Sequence, residues 1–395
     1  MATIDSTVGQ EGAANSPEPQ PVPVPAQVKV EERLPTLGDF TRQTIKLGGS
    51  DLHLQGGSVP AIRVDGKMRS LVCPPCTDEQ LKQCVAQIVK DPLKMKHLEE
   101  RGALDAAYAM PDGSARFRTN IFHSRGRLAL VMRRIVTKIP NFDELGLPPQ
   151  VEELGNHHRG LVIVSGTTGS GKSTTLAAVI GQINRTRAER IITVEDPIEY
   201  QHDNAKSLVS QVEVGSDNES FDYALKAMMR QDPDVILIGE MRDTNSVTTA
   251  LRAADTGHLV FTTVHATNAP MTVERLVSLF DHDQKELQQT QLGMNLVAVL
   301  CQRLAKKREG KGRVPVVEIM MATPIVRKYI MEGEFEKLKG QVGNREAGSQ
   351  SFDQHLTELF QKQIIDVSEA RRLASNVDAL SLALRGIGNS DTRLR

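Results

Sequence analysis

The chain has 395 residues, enough for two or three domains with cores of their own. Its formal charge is -1 with 25% charged residues, which excludes a global basic field of the kind that draws nucleic acid. No apolar run approaches the roughly 20 residues of a membrane span, and the N-terminus lacks a signal-peptide core. The expectation is a cytoplasmic protein that meets the membrane through a partner.

Residues 1–35 read as a disordered Pro-rich tail, because "NSPEPQPVPVPAQ" has no apolar stripe from which to build a core. From about Leu37 the pattern changes. "SDLHLQ" and "PAIRVDGKMRSL" alternate apolar and polar residues around Asp65-Gly66, a hairpin signal. "TDEQLKQCVAQIV" has a capping residue and helical spacing. "GALDAAYAM", "ARFRTNIFHS" and "RLALVMRRIV" read as strands, with Pro111-Asp112-Gly113 turning between the first two. These elements make a small α+β domain over residues 36–145, followed by a linker at 146–158. Cys73-Pro-Pro-Cys76 has redox spacing, but two prolines ahead of "TDEQ" read better as a loop entering a capped helix. Cys84 and Cys301 supply no second close pair for zinc.

Over residues 159–345 strands and helices alternate. "GLVIVS", "RIITVED", "DVILIGE" and "HLVFTTVH" are apolar strands, and "KSTTLAAVIGQIN", "SFDYALKAMMRQ" and "TNSVTTALRAADTG" are the helices between them. Such a pattern predicts an α/β fold with a mainly parallel sheet buried on both faces. After Asn268 the chain reads as mostly helical, apart from a hairpin around "REGKGRVPVVEIM", and ends in a helical segment over 346–395.

Gly166-Thr167-Thr168-Gly169-Ser170-Gly171-Lys172-Ser173 has the full spacing of a phosphate-binding loop, between an apolar strand and a helix. Its glycines let backbone N–H groups wrap phosphates, and the helix N-terminus adds partial positive charge. Thr174 follows in the first turn. Lys172 is placed for the β- and γ-phosphates of ATP, and Ser173 for Mg2+. Hydrolysis also needs carboxylates at the metal and at the attacking water. Glu195 and Asp196 directly follow one apolar strand, and Glu240 another, on the edge where such sheets bind ligands. His265 ends the "HLVFTTVH" strand at that same edge, as a candidate phosphate sensor or water positioner. His258 starts it, with a structural or interface role.

Together these motifs resemble the type II/IV secretion and pilus ATPase superfamily, over roughly Ser50 to Ile387. "MRQDPDVILIGEMRD" resembles its signature, "ITVEDPIEY" its Asp box and "TGHLVFTTVH" its His box. The resemblance implies a RecA-like ATPase domain preceded by a PAS-like domain. It assigns Glu240 to magnesium and Glu195 to the general base. It offers Arg116, Arg118, Arg133 and Arg242 for the γ-phosphate, with Arg118 and Arg133 preferred.

Within the superfamily the sequence is most similar to the type IV pilus retraction ATPases. "SDLHL", "PAIRVDG", "ARFRTNIF" and "FDELGLPP" resemble their N-terminal domain, and "SFDQHLTELFQKQIID" and "DALSLALRGI" their C-terminal helices. That implies a homohexamer acting on an inner-membrane platform protein at the pilus base, with no nucleic acid involved. "EIMMATPIVRKYIMEGE" keeps Ile325, Arg327 and Ile330 of a retraction motif without the motif itself. Main motor, accessory subunit working with a paralogous ATPase, and related secretion or conjugation ATPase therefore all stay open. "AKKREGKGR" concentrates positive charge in a turn, read as a solvated hairpin or as a face for acidic lipid or a platform loop.

Overall fold

A computed structural model describes residues 34–64, 66–135, 139–309 and 312–385. The tail expectation for residues 1–35 therefore falls almost wholly outside the described residues, as does the end of the C-terminal segment.

The first unit comprises α1 (Leu37–Lys46), β1 (Asp51–Gln55), β2 (Ala61–Val64), β3 (Lys67–Ser70), α2 (Asp78–Ile88), α3 (Pro92–Arg101), β4 (Ala103–Ala109), β5 (Arg116–Ser124) and β6 (Arg127–Ile135). Its six strands lie in the order β3-β2-β1-β6-β5-β4, every pair antiparallel. β2 and β3 form the expected tight hairpin, with Val64 opposite Lys67. α2 starts with a capping box, in which the Thr77 side chain accepts the Gln80 N–H and the Gln80 side chain accepts the Thr77 N–H. That cap follows Cys76 directly. Burial pushes the Cys76 thiol up to about 12 and the Cys84 thiol up to about 11, the opposite of the thiolate that redox chemistry needs.

Next come α4 (Phe142–Leu145) and α5 (Pro149–Glu153), then β7 (Gly160–Gly166), α6 (Lys172–Thr186), β8 (Arg190–Glu195), β9 (Leu208–Glu213), α7 (Phe221–Met228), β10 (Val235–Ile238), α8 (Thr244–Asp255) and β11 (Leu259–Val264). After them run α9 (Ala269–Ser278), α10 (His282–Asn295), β12 (Leu296–Lys306), β13 (Arg313–Met321), α11 (Pro324–Met331), α12 (Phe335–Val342), α13 (Phe352–Gln361), α14 (Val367–Leu373) and α15 (Val377–Leu384). The seven strands lie in the order β13-β12-β7-β11-β10-β8-β9, with only β13 antiparallel to its neighbour.

β7 sits near the middle, and its side chains alternate between two cores. Leu161 and Ile163 pack with residues of α7 to α12, whereas Val162 and Val164 pack with α5 and α6. That double burial is why the strand reads as an unbroken apolar run. Val151 and Leu154, inside the stretch expected to be a linker, are buried in the second of these cores. The segment is thus packed onto the sheet.

The last helices cover the end of the β12–β13 hairpin, where Phe352, Leu356 and Leu359 meet Cys301, Ala305 and Val314. Arg327 of the partly kept motif bonds the carbonyls of Ala322 and Gly293, both at 2.9 Å, and so ties α11 to the end of α10.

Candidate active site

The register of the parallel strands places the functional side chains together. Ile238 lies opposite Val194 on one side and Thr262 on the other, and Val264 lies opposite Ser165. The next residues along each strand are therefore Glu195, Gly239-Glu240, His265 and Gly166, all on one edge. Glu195, Gly239-Glu240 and His265 border a cavity of about 610 Å³ that is also lined by Thr168 to Thr174 and Arg118. Gly166 and Thr167 are not part of that lining. They lie beneath it, where their carbonyls accept from Lys172 Nζ at 3.0 and 3.2 Å.

The loop is built for a phosphate. Gly166 has φ +144, and a Cβ there would come within 2.6 Å of the Gln302 carbonyl oxygen, so only glycine closes this turn. α6 begins at Gly171 with no side-chain cap, leaving its first-turn N–H groups for an anion. The Ser170 hydroxyl, buried against Gly166, has no partner among the described residues. Burial lowers the Lys172 pKa, opposed by Glu240 and Glu199. Thr174 Oγ1 lies 2.8 Å from the Tyr200 hydroxyl, fixing the Asp-box loop against α6.

Glu195 is the most enclosed carboxylate of the site. Burial raises its pKa, and hydrogen bonds to its charged form from Thr193 and Gln211 work against that rise. Gly239 lets its strand come close: a Cβ at that position would stand 3.3 Å from Glu195 Cα. The glycine preceding Glu240 thus lets the two strands approach closely beside the neighbouring carboxylate. Glu240 accepts from Arg242 Nε at 2.8 Å, and His265 Nε2 stands 3.4 Å from its other oxygen.

Among the described residues no group of three His, Cys, Asp or Glu side chains could hold a metal ion. Mg2+ is commonly held by one or two carboxylates together with substrate phosphates and water. Ser173 and Glu240 face the same cavity and would be its protein contacts.

The arginines divide. Arg118 and Arg133 face each other across β5 and β6, but only Arg118 reaches the cavity. Arg133 Nε bonds Asp51 Oδ1 at 2.8 Å on the next strand. Burial works against the Asp51 charge, yet the Arg133 and Ser50 hydrogen bonds hold its carboxyl below the usual range. Arg116 lies 3.8 Å from Glu213 Oε2, joining the small domain to β9. Arg242 lines the cavity beside Glu240.

Further lining residues include Tyr200 at the end of the Asp box, His202 just beyond it and Arg313, none of which was assigned a role at the site from the sequence. Burial pushes the His202 imidazole down to about 4, and Arg185 adds to the shift. Arg313 comes from the basic turn expected to face solvent, lipid or a platform loop; it is exposed at the start of β13 and also lines the cavity. His258 lies at the opposite strand end, bonding Ala253 O at 2.9 Å behind α8, a structural place.

Comparison with known proteins shows the family. A family model described as "Type II/IV secretion system protein" matches residues 35–372. The chain is 41% identical over 330 residues to the type IV pilus "retractation ATPase PilT" of Pseudomonas aeruginosa, covering 83% of this chain and 95% of that protein. It is 38% identical over 351 residues to the type IV pilus ATPase PilU of the same organism, covering 89% and 91%. A crystal structure titled as the pilus retraction motor PilT with bound ADP superposes with a TM-score of 0.81 at 38% identity, covering 87% of this chain and 98% of that one. No helix among the described residues is long and apolar enough to cross a membrane. The chain belongs to the type II/IV secretion system protein family, and within it resembles the type IV pilus retraction ATPases over most of its length.

Proposed function

We propose that this chain is an ATP-hydrolysing motor that powers type IV pilus retraction, working as a homohexamer against a platform protein at the inner membrane. The observation that carries the reading is the convergence of the phosphate loop, Glu195, Glu240, His265 and Arg118 on one cavity. Its likeness over nearly the whole length of two pilus ATPases supports the retraction assignment.

The chemistry follows from placement. Lys172 and the first-turn amides of α6 hold the β- and γ-phosphates. Bound Mg2+ would supply positive charge to the phosphate oxygens. Glu195, shielded from bulk water and aimed into the cavity, takes a proton from the attacking water as its oxygen bonds to the γ-phosphorus. The bond from that phosphorus to the bridging oxygen breaks, leaving ADP and phosphate. Arg118 belongs to the small domain, so its approach to the phosphates couples the position of that domain to turnover.

A second reading, an accessory ring subunit that binds ATP and depends on a partner motor, is favoured by the altered retraction motif. Arg327 of that motif bonds the carbonyls of Ala322 and, at the end of α10, Gly293. ATPase assays on the purified chain separate the two. Turnover that collapses in Glu240→Ala supports an autonomous motor, and wild-type protein that binds ATP in a ring without turnover supports the accessory reading.

A further inference from the structure

β9 contributes no residue to the sequence motifs, yet it lies directly beside the strand carrying Glu195, with Thr193 opposite Gln211 and Glu195 opposite Glu213. Gln211 spends both its donors and one acceptor site at this point. Its Nε2 donates to Glu195 Oε1 at 3.2 Å and to the Tyr200 carbonyl at 2.8 Å. Its Oε1 accepts the His202 N–H at 2.8 Å. Reversing the amide would set an acceptor against the Glu195 carboxylate and the Tyr200 carbonyl, so only one orientation is chemically possible. The segment it fastens is the one whose Tyr200 hydroxyl meets Thr174 behind the phosphate loop.

We infer that Gln211 is a positioning residue that holds the Glu195 carboxylate and the Tyr200–His202 segment in one fixed relation to the phosphate loop. The Glu195 carboxylate is partly buried, and its aim is set by neighbouring donors. Thr193 and Gln211 both donate to Oε1. Thr193 comes from the strand of Glu195 itself. Gln211 comes from the neighbouring strand and, beside the Glu199 backbone N–H, ties the carboxylate to the segment that touches α6. The same residue therefore sets the carboxylate relative to the nucleotide.

The inference rests on the proposed role of Glu195, and the test keeps the two apart. Steady-state ATP hydrolysis and ADP binding are measured on the full chain for wild type, Glu195→Ala, Gln211→Leu and Gln211→Glu. Gln211→Glu keeps the length and an acceptor but has no donors, so it separates hydrogen bonding from packing. The expected result is kcat lowered on the order of ten- to a hundredfold in both Gln211 variants, with ADP affinity within about threefold of wild type. In Gln211→Glu the acid limb of the pH profile also moves up, because a second carboxylate beside Glu195 disfavours its charge. Wild-type kcat in the Gln211 variants alongside collapse in Glu195→Ala overturns the inference alone. Loss of ADP binding in both Gln211 variants also overturns it, since that marks a purely structural role. Turnover retained in Glu195→Ala overturns the reading on which it rests.

Discussion

Thr193 Oγ1 donates to Glu195 Oε1 across 2.6 Å, two residues back on the same strand and therefore on the same face. The bond favours the charged carboxylate, whereas burial favours the neutral one and raises the pKa. Thr193→Val keeps the shape and removes the bond. A hydrogen bond to a charged group contributes about 1.5–3 kcal/mol, or about 1–2 pH units. The acid limb of kcat is thus expected to shift to higher pH in Thr193→Val, with turnover recovering at alkaline pH. A pH–rate profile superimposable on wild type speaks against Glu195 as the base.

The two glycines of the site should respond differently. In Gly166→Ala the methyl meets the Gln302 carbonyl at 2.6 Å and the backbone stays at φ +144. Nucleotide binding should be lost and thermal stability lowered. In Gly239→Ala the nearest backbone atom is Val194 O at 3.2 Å, which a small strand displacement relieves. That variant should keep ADP binding and lose turnover, because the displaced strand carries Glu195. Calorimetric ADP titration of both variants checks the contrast.

Arg118 and Arg133 face each other on adjacent strands but carry different expectations. Arg118→Ala should lower turnover at saturating ATP while leaving the melting temperature near wild type. Arg133→Ala removes a partner of Asp51, whose side chain is only 6% exposed, though Arg63 remains 3.8 Å away. The Arg133 end is open to solvent, so the loss after screening is about 1 kcal/mol. Normal stability with collapsed turnover in Arg133→Ala contradicts this division.

His355 is buried in α13, and its Nδ1 accepts the Val317 N–H at 2.9 Å. Burial, with Lys362 adding, pushes its pKa from 6.5 to about 4. The folded state holds the ring neutral where the unfolded chain protonates it. Stability from this group is therefore complete above pH 6.5 and lost as pH falls toward about 4. The slope reaches up to ~1.4 kcal/mol per pH unit. In His355→Asn, whose Oδ1 can take the same N–H, urea denaturation between pH 7 and 5 should show a shallower decline than wild type.

The parallel strands were legible in the sequence because both their faces are buried, leaving runs such as Leu161 to Val164 without polar interruption. β9 escaped because it is an edge strand of half-buried residues beginning at exposed Leu208, neither alternating nor continuously apolar. β12 escaped for another reason: α10 ends at Asn295 and the strand starts at Leu296, with no glycine or proline between to mark the change. The phosphate loop and the two carboxylates could be read because each closes an apolar strand. Gln211 and Arg313 could not, since sheet order and a hairpin bring them in from segments with no motif. Arg118 and Arg133 looked equivalent in sequence, and only the buried Asp51 beside one of them divides their roles.

The most direct test of the account is ATP turnover of purified Glu195→Ala beside wild type, with ADP affinity measured on the same preparations and assembly followed by light scattering. The account predicts a ring in both, unchanged ADP affinity and turnover lowered at least about a hundredfold in the variant. Turnover near the wild-type rate in Glu195→Ala, with nucleotide still bound, would contradict it.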